Sequence, residues 1–178
     1  ALGFKGTLNA LGASNSKISN PVQARYWSMV PYQLGLGADR QAVKYSARPC
    51  SLNADTMLNQ SDPNFLRAAL QDTLNKKDVC MEFLIQPRTS NKMLVENSMN
   101  EWKEDKAPFY KVATIHIPQQ VFNTPDQNKF CENLSFTPWH SLPEHKPLGA
   151  INRLRKVIYE NISIVRHEMN SAQRQEPK

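Results

Sequence analysis

The chain has 178 residues, a formal net charge of +6, 40% hydrophobic residues and 21% charged residues. The length suits one domain. Lysine and arginine alternate with acidic residues, as in Glu101 to Lys106, and form no basic stripe with interleaved aromatics, which excludes a nucleic-acid-binding surface. No apolar run approaches the ~18 residues of a membrane span, and residues 1–20 lack the order of a secretion signal.

Three segments are predicted from composition. Residues 1–20 are rich in Gly, Ser, Asn and Ala, and residues 171–178 are polar. We expect both ends to be flexible unless a partner pins them. Residues 21–170 are expected to form the folded domain.

The predicted strands come first in chain order. Runs at Arg25–Leu34 and Gln41–Arg48 flank a short loop with two glycines, which is typical of a β-hairpin. Residues 79–86 alternate, with one apolar side, and form a third strand. Residues 109–117 are apolar on both faces, which predicts a central strand.

Two helices are predicted. Asp62-Pro63 precedes a helix from about Asn64 to Lys76, whose buried stripe comprises Phe65, Leu66, Ala69, Leu70 and Leu74. Pro147 begins a second helix that runs to about Asn170. Helices beside antiparallel strands indicate the α+β class. About four strands are too few for a closed barrel, which takes ~8, so open edges are expected.

Cys50, Cys80 and Cys131 are odd in number and widely spaced, without zinc or redox-pair spacing. We interpret them as free thiols, which suits a cytoplasmic protein. One of them could instead bridge to another chain.

A candidate site lies in the last helix. Arg155 precedes Tyr159 by four residues, so the guanidinium can lie against the phenolic oxygen on one helix face. A neighbouring positive charge and a ferric ion both favour a phenolate, and tyrosinate is the haem ligand of catalase. The alternative is an ordinary amphipathic helix, with Tyr159 half buried and Arg155 reaching solvent.

The residues around this pair, and others earlier in the chain, form a series of short motifs. In chain order these are Asn20-Pro21, Arg25-Tyr26-Trp27-Ser28-Met29, Pro31-Tyr32, Ala47-Arg48-Pro49, Ser135-Phe136-Thr137-Pro138-Trp139-His140, Pro147-Leu148-Gly149 and Arg155-Lys156-Val157-Ile158-Tyr159. Together they resemble the catalase superfamily, above all its small, catalase-like members. The resemblance covers roughly residues 20–170 and is most specific in the final 45.

The resemblance implies the haem-proximal half of a catalase-like antiparallel β-barrel with flanking helices. It implies haem b as cofactor, with Tyr159 as the iron ligand and Arg155 as its partner. Arg166 would contact a haem propionate, Phe136 would line the pocket, and Ile158 and Ile162 would face the porphyrin. The implied activity is that of a haem oxidoreductase acting on hydrogen peroxide or an organic hydroperoxide, such as that of a lipid.

One part of the family pattern is absent. The four histidines, His116, His140, His145 and His167, match no position with a distal role. The chain therefore resembles only the C-terminal half, and we expect its partner to be the N-terminal half, as a separate or cleaved chain. A homo-oligomer is also compatible. Two alternatives stay open: a catalase-like protein that binds haem or an apolar ligand without turnover, and a protein without haem in which Tyr159 belongs to the core.

Overall fold

The structure is a computed structural model that describes residues 18–51 and 61–173. Five strands, all paired antiparallel, form one sheet: β1 (Tyr26–Trp27), β2 (Tyr32–Leu34), β3 (Gln41–Pro49), β4 (Val79–Pro87) and β5 (Tyr110–Ile117). Strand order is β1-β3-β4-β5, and β2 pairs with β3 beside β1. The antiparallel strands and the helices agree with the predicted α+β class. In the described residues the sheet is not closed, so the β-barrel stays a prediction.

The first predicted strand is two strands. The interval between β1 and β2 contains Met29, whose φ of 61° is left-handed. The Val30 N–H donates to the Ser28 carbonyl at 2.7 Å, and Pro31 has no N–H to donate. The backbone therefore turns here before β2 pairs with β3, which confirms the predicted hairpin with its loop at residues 35–40.

The prediction that residues 109–117 form a central strand is wrong for the described residues. β5 pairs with β4 alone and stands at the edge of the sheet. All but the last of its residues are exposed, including Tyr110, Val112 and Ile115. A strand that is apolar on both faces is expected to be buried, but this pattern does not indicate which other part of a protein would pack against it.

Helix α1 (Phe65–Lys76) matches its predicted bounds within one residue. Its buried face includes Ala69, Leu74 and the polar Thr73. Thr73 is accommodated because Asn20 donates its side-chain amide to the Thr73 hydroxyl at 2.8 Å, inside the fold. The short helix α2 (Pro125–Glu132) was not predicted, although the Thr124 hydroxyl caps it by accepting from the Gln127 N–H and proline stands in its first turn.

Residues of the connection between β4 and β5 form a compact apolar cluster. Met93, Trp102 and Ala107 are buried together. Gln86, also buried, donates to the carbonyls of Trp102 and Ala107 at 2.8 Å each. This connection therefore packs as part of the domain, and residues 95 and 96 within it reach the last helix.

The prediction of three free thiols is wrong for two of them. Cys50 and Cys80 form a disulfide between the end of β3 and the start of β4, and Cys131 is free and exposed. The pairing follows from the sheet, because the antiparallel β3–β4 register brings Pro49 opposite Met81. The thiol argument for a cytoplasmic protein therefore applies to Cys131 alone.

The predicted terminal segments are described only in part. Residues 1–17 and 174–178 lie outside the described residues. None of the helices in residues 18–51 and 61–173 combines the length and the hydrophobicity of a membrane span.

Candidate functional site

Helix α3 (Gly149–Met169) carries the predicted site. Its start is fixed by contacts with the segment before β2. The Leu148 N–H donates to the Pro31 carbonyl at 3.0 Å, and the buried Asn152 amide donates to the same carbonyl at 3.0 Å. Gly149 has φ of +84°, and a Cβ there would lie 2.6 Å from the Val95 carbonyl oxygen. Only glycine therefore lets the chain enter the helix this close to its neighbours.

The structure brings Arg155 and Tyr159 together as the spacing predicts. The Arg155 Nη2 donates to the Tyr159 hydroxyl at 3.2 Å. The guanidinium carbon lies 5.4 Å from the Tyr159 ring centroid, so the cation also lies against the ring. Tyr159 is 36% exposed and is not part of a packed core. The hydroxyl is thus held by a fixed positive charge while remaining accessible.

Sequence reasoning missed a second phenol beside Arg155. Tyr32 on β2 is near enough to this guanidinium for each side chain to shift the pKa of the other. Burial raises the pKa of Tyr32, and Arg155 acts in the opposite direction. Burial lowers the pKa of Arg155, but the hydrogen bond to Tyr159 and the charges of Tyr159 and Tyr32 raise it overall. Nothing local in the sequence connects Tyr32 with Arg155.

A cleft of about 380 Å³ opens beside this pair. Five of the six predicted site residues line it, together with Ser163; the five are Phe136, Ile158, Tyr159, Ile162 and Arg166. The sixth, Arg155, lies one turn before Tyr159. Phe136 and Ile162 are each 60% exposed, so the apolar lining faces open space.

Arg166 supplies the positive charge among these lining residues. Its Nη2 donates to the Leu134 carbonyl, which orients the guanidinium. Its Nε is buried and, among the described residues, has no hydrogen-bond partner. The positive charge of the Arg166 guanidinium favours an anionic group at this end of the cleft.

The wall behind the cleft is built from residues to which the sequence assigned no role. Ser163 donates to the Ser135 hydroxyl at 3.1 Å. His167, which is buried, lies 2.8 Å through Nε2 from the Asn133 carbonyl oxygen. These contacts fix residues 133–135 on α3 and so place Phe136 at the cleft. Ser163 and His167 are four residues apart and so share one face of α3, and this spacing is the feature of the sequence that could have indicated their joint role.

The described residues contain no group of three or more His, Cys, Asp or Glu side chains that could hold a metal ion. A metal ion held by tyrosinate does not require such a group, because the protein supplies only one phenolic oxygen to it. None of the four histidines lines the cleft.

Known proteins resemble this chain in structure but not in sequence. No family model matches the sequence, and no curated protein matches it. A bacterial catalase is similar in structure, with a TM-score of 0.63 and 12% sequence identity. The similarity covers 83% of this chain and 31% of the catalase chain. The chain therefore has a catalase-like fold and spans about a third of the length of that catalase.

Proposed function

We propose that the cleft on α3 binds haem b, with Tyr159 as the iron ligand. One observation carries the proposal: a hydroxyl held by a cation, three exposed apolar side chains and a second arginine converge on one cleft. A porphyrin needs this set of features, because it presents an apolar plane, a metal and anionic propionates. The fold similarity to a catalase supports the same reading.

Each residue has a defined part in the proposal. Tyr159 offers the phenolic oxygen, and Arg155 stabilises its negative charge at hydrogen-bonding distance. Ile158 and Ile162 on α3, and Phe136 in the preceding loop, would supply the apolar lining for a bound porphyrin. Arg166 pairs with a propionate through a guanidinium that Leu134 already orients.

The proposed activity is that of an oxidoreductase of catalase or peroxidase type, acting on hydrogen peroxide or an organic hydroperoxide such as that of a lipid. Haem bound here would supply the chemistry that breaks a peroxide O–O bond, and a tyrosinate ligand suits that chemistry. The residues that handle the peroxide proton on the opposite face would come from the N-terminal half, in another chain or another part of a longer protein.

Haemin titration of the purified chain tests the cofactor. We expect saturable binding and a ferric high-spin spectrum. Tyr159→Phe is expected to abolish binding or change the spectrum, because the metal loses its oxygen ligand. Tyr110→Phe is the matched control, since Tyr110 is an exposed tyrosine on β5. Equal spectra for the two variants would refute Tyr159 as the ligand.

A second candidate function is haem or apolar-ligand binding without turnover. The observation that favours it is the absence of a histidine from the lining residues of the cleft. Intact-mass analysis of everything in the purified preparation, followed by peroxide addition to the haem-loaded sample, separates the two functions. A co-purifying N-terminal piece together with turnover supports the enzyme, whereas haem binding by this chain without such a piece supports the binding protein.

A further inference from the structure

A second pocket lies apart from the cleft on α3. Its volume is about 310 Å³, and among the described residues it shares none of its lining with that cleft. The lining includes Trp27 on β1, Lys44 on β3 and Gln86 on β4, together with Trp102 and Phe109 from the connection before β5. A pocket at this lower end of the usual size range for small-molecule sites suits a ligand with one ring.

One wall of this pocket is fixed by a buried glutamine. Lys44 and Gln86 are directly opposite each other in the β3–β4 register, so their side chains leave the same face of the sheet. Gln86 donates its Nε2 to the carbonyls of Trp102 and Ala107 at 2.8 Å each. These bonds hold the buried Trp102 beside Lys44, whose Nζ lies 4.9 Å from the ring centroid. Buried contacts therefore define the surroundings of the lysine amine.

The other wall is built around Arg25. Its guanidinium carbon lies 5.0 Å from the ring centroid of Trp27 and 5.0 Å from that of Phe109. Its Nε donates to the Ser46 hydroxyl at 3.1 Å, and the guanidinium forms an ion pair with Glu104 at 3.1 Å. Arg25 thus ties two aromatic rings to the sheet, and both rings belong to the pocket lining.

The charges in the lining favour a neutral ligand. Lys44 contributes a positive charge, and the carboxylates of Glu101 and Glu104 also line the pocket. The carboxylates repel an anion, while the ammonium repels a cation. Trp27 and Met29 are both exposed and offer apolar surface at the pocket. A small, uncharged molecule with a flat apolar body therefore fits this lining best.

Lys44 is placed to react with such a molecule. The side chain is partly buried, and its nitrogen makes no hydrogen bond or ion pair within residues 18–51 and 61–173. Burial lowers the pKa of Lys44 overall, although the Glu101 charge acts in the opposite direction. A lowered pKa leaves more of the amine uncharged, and a desolvated lysine amine is the nucleophile that attacks carbonyl groups.

We propose that this pocket binds small aldehydes with a planar apolar body and that the Nζ of Lys44 condenses with their carbonyl group. The nitrogen lone pair forms a bond to the carbonyl carbon, and the C=O electron pair moves to the oxygen. The amine then gives up its two protons and the oxygen leaves as water, which yields an imine. The Glu101 carboxylate in the lining can carry a proton in this step, and no oxidant, reductant or cofactor is consumed.

Reductive labelling of the purified chain without haemin tests the site. Limiting benzaldehyde is added at neutral pH with cyanoborohydride, which reduces each imine to a stable amine, and peptide mass mapping locates the labelled lysines. Lys156 is the internal control, because its Nζ lies 5.2 Å from the Trp139 ring centroid but its side chain is exposed. We expect Lys44 to be labelled several-fold faster than Lys156. Equal rates for the two lysines would overturn the proposal.

A competitor tests whether the pocket binds the ring. Benzyl alcohol has the same ring as benzaldehyde but no carbonyl group, so it can occupy the pocket without forming an imine. It is expected to slow the labelling of Lys44 and to leave that of Lys156 unchanged. If both lysines respond equally, or neither responds, the reaction at Lys44 does not pass through a bound complex and the proposed binding site is wrong.

A pair of variants tests the aromatic wall. Trp27→Ala removes an exposed ring from the lining and leaves the contact between Lys44 and Trp102 in place, so labelling of Lys44 is expected to fall several-fold. Tyr26→Ala is the matched control, since Tyr26 is the exposed neighbour on β1 and is not among the lining residues. An equal effect of the two substitutions on Lys44 would contradict a role for Trp27 in ligand binding.

The outcome is independent of the proposed haem site. Labelling is measured without haemin, at residues that do not line the α3 cleft. Failure of haemin binding would refute the proposed function and leave the aldehyde site standing, whereas unselective labelling would refute the aldehyde site alone.

Discussion

Replacing Gly149 by alanine tests how α3 is attached to the fold. The added Cβ meets two penalties. The backbone has φ of +84°, a left-handed conformation that costs an ordinary residue about 1–2 kcal/mol. The Cβ would also lie 2.6 Å from the Val95 carbonyl oxygen, and relieving such a contact by shifting the backbone costs about 1–3 kcal/mol. We expect Gly149→Ala to lower the free energy of unfolding by about 2–5 kcal/mol.

Gly37→Ala is the matched control. Gly37 has φ of +67°, and a Cβ there meets no atom within 4 Å. It therefore carries the left-handed cost of about 1–2 kcal/mol without the contact. Urea unfolding followed by circular dichroism measures both variants, and the difference between them isolates the contact with Val95. If Gly149→Ala is no more destabilising than Gly37→Ala, the close approach of α3 to residue 95 is refuted.

Three further predictions concern the rest of the fold. Cys80→Ser is expected to lower the free energy of unfolding by about 3–4 kcal/mol, because the bridge from Cys50 closes a separation of 30 residues. Urea unfolding with and without reductant measures this loss. If reductant does not change the unfolding of the unmodified chain, the prediction is contradicted. Asn20→Ala is expected to cost about 1–3 kcal/mol, because Thr73 loses a buried partner; thermal unfolding compared with Asn91→Ala, an exposed site, provides the check. Hydrogen bonds from Arg48 and Lys111 lower the pKa of Glu82, so the carboxylate stabilises the fold above its ordinary pKa of 4.5 and this stabilisation is lost as pH falls through the lower folded value. Glu82→Gln should therefore make the free energy of unfolding depend less on pH below about pH 4.5. An acid unfolding profile identical to that of the unmodified chain would contradict this prediction.

Local patterns predicted the parts of the fold that local chemistry decides. The hairpin, β4, α1 and α3 follow from alternation, glycine positions and helical periodicity, and the Arg155–Tyr159 contact follows from helix geometry alone. The turn at Met29 was missed because its left-handed backbone belongs to a residue type that rarely adopts it.

The remaining differences depend on pairing between distant segments. The Cys50–Cys80 bridge requires the β3–β4 register, and the edge position of β5 requires the whole strand order. Tyr32 comes near enough to Arg155 to affect its pKa because β2 bonds to the residues just before α3. Each of these features is fixed by strand pairing in the sheet. The residues next to one partner in the sequence do not indicate which distant residue is the other partner.

The disulfide and the residue that pairs with Tyr32 lie at opposite ends of β3. Val43, which pairs with Tyr32, is near the start of β3, and Cys50 follows its end. Seven residues of extended chain put about 23 Å between them. A reductant would therefore loosen the loop that carries α1 while the α3 cleft keeps its shape, so that loss of stability and loss of ligand affinity become separable events in one protein.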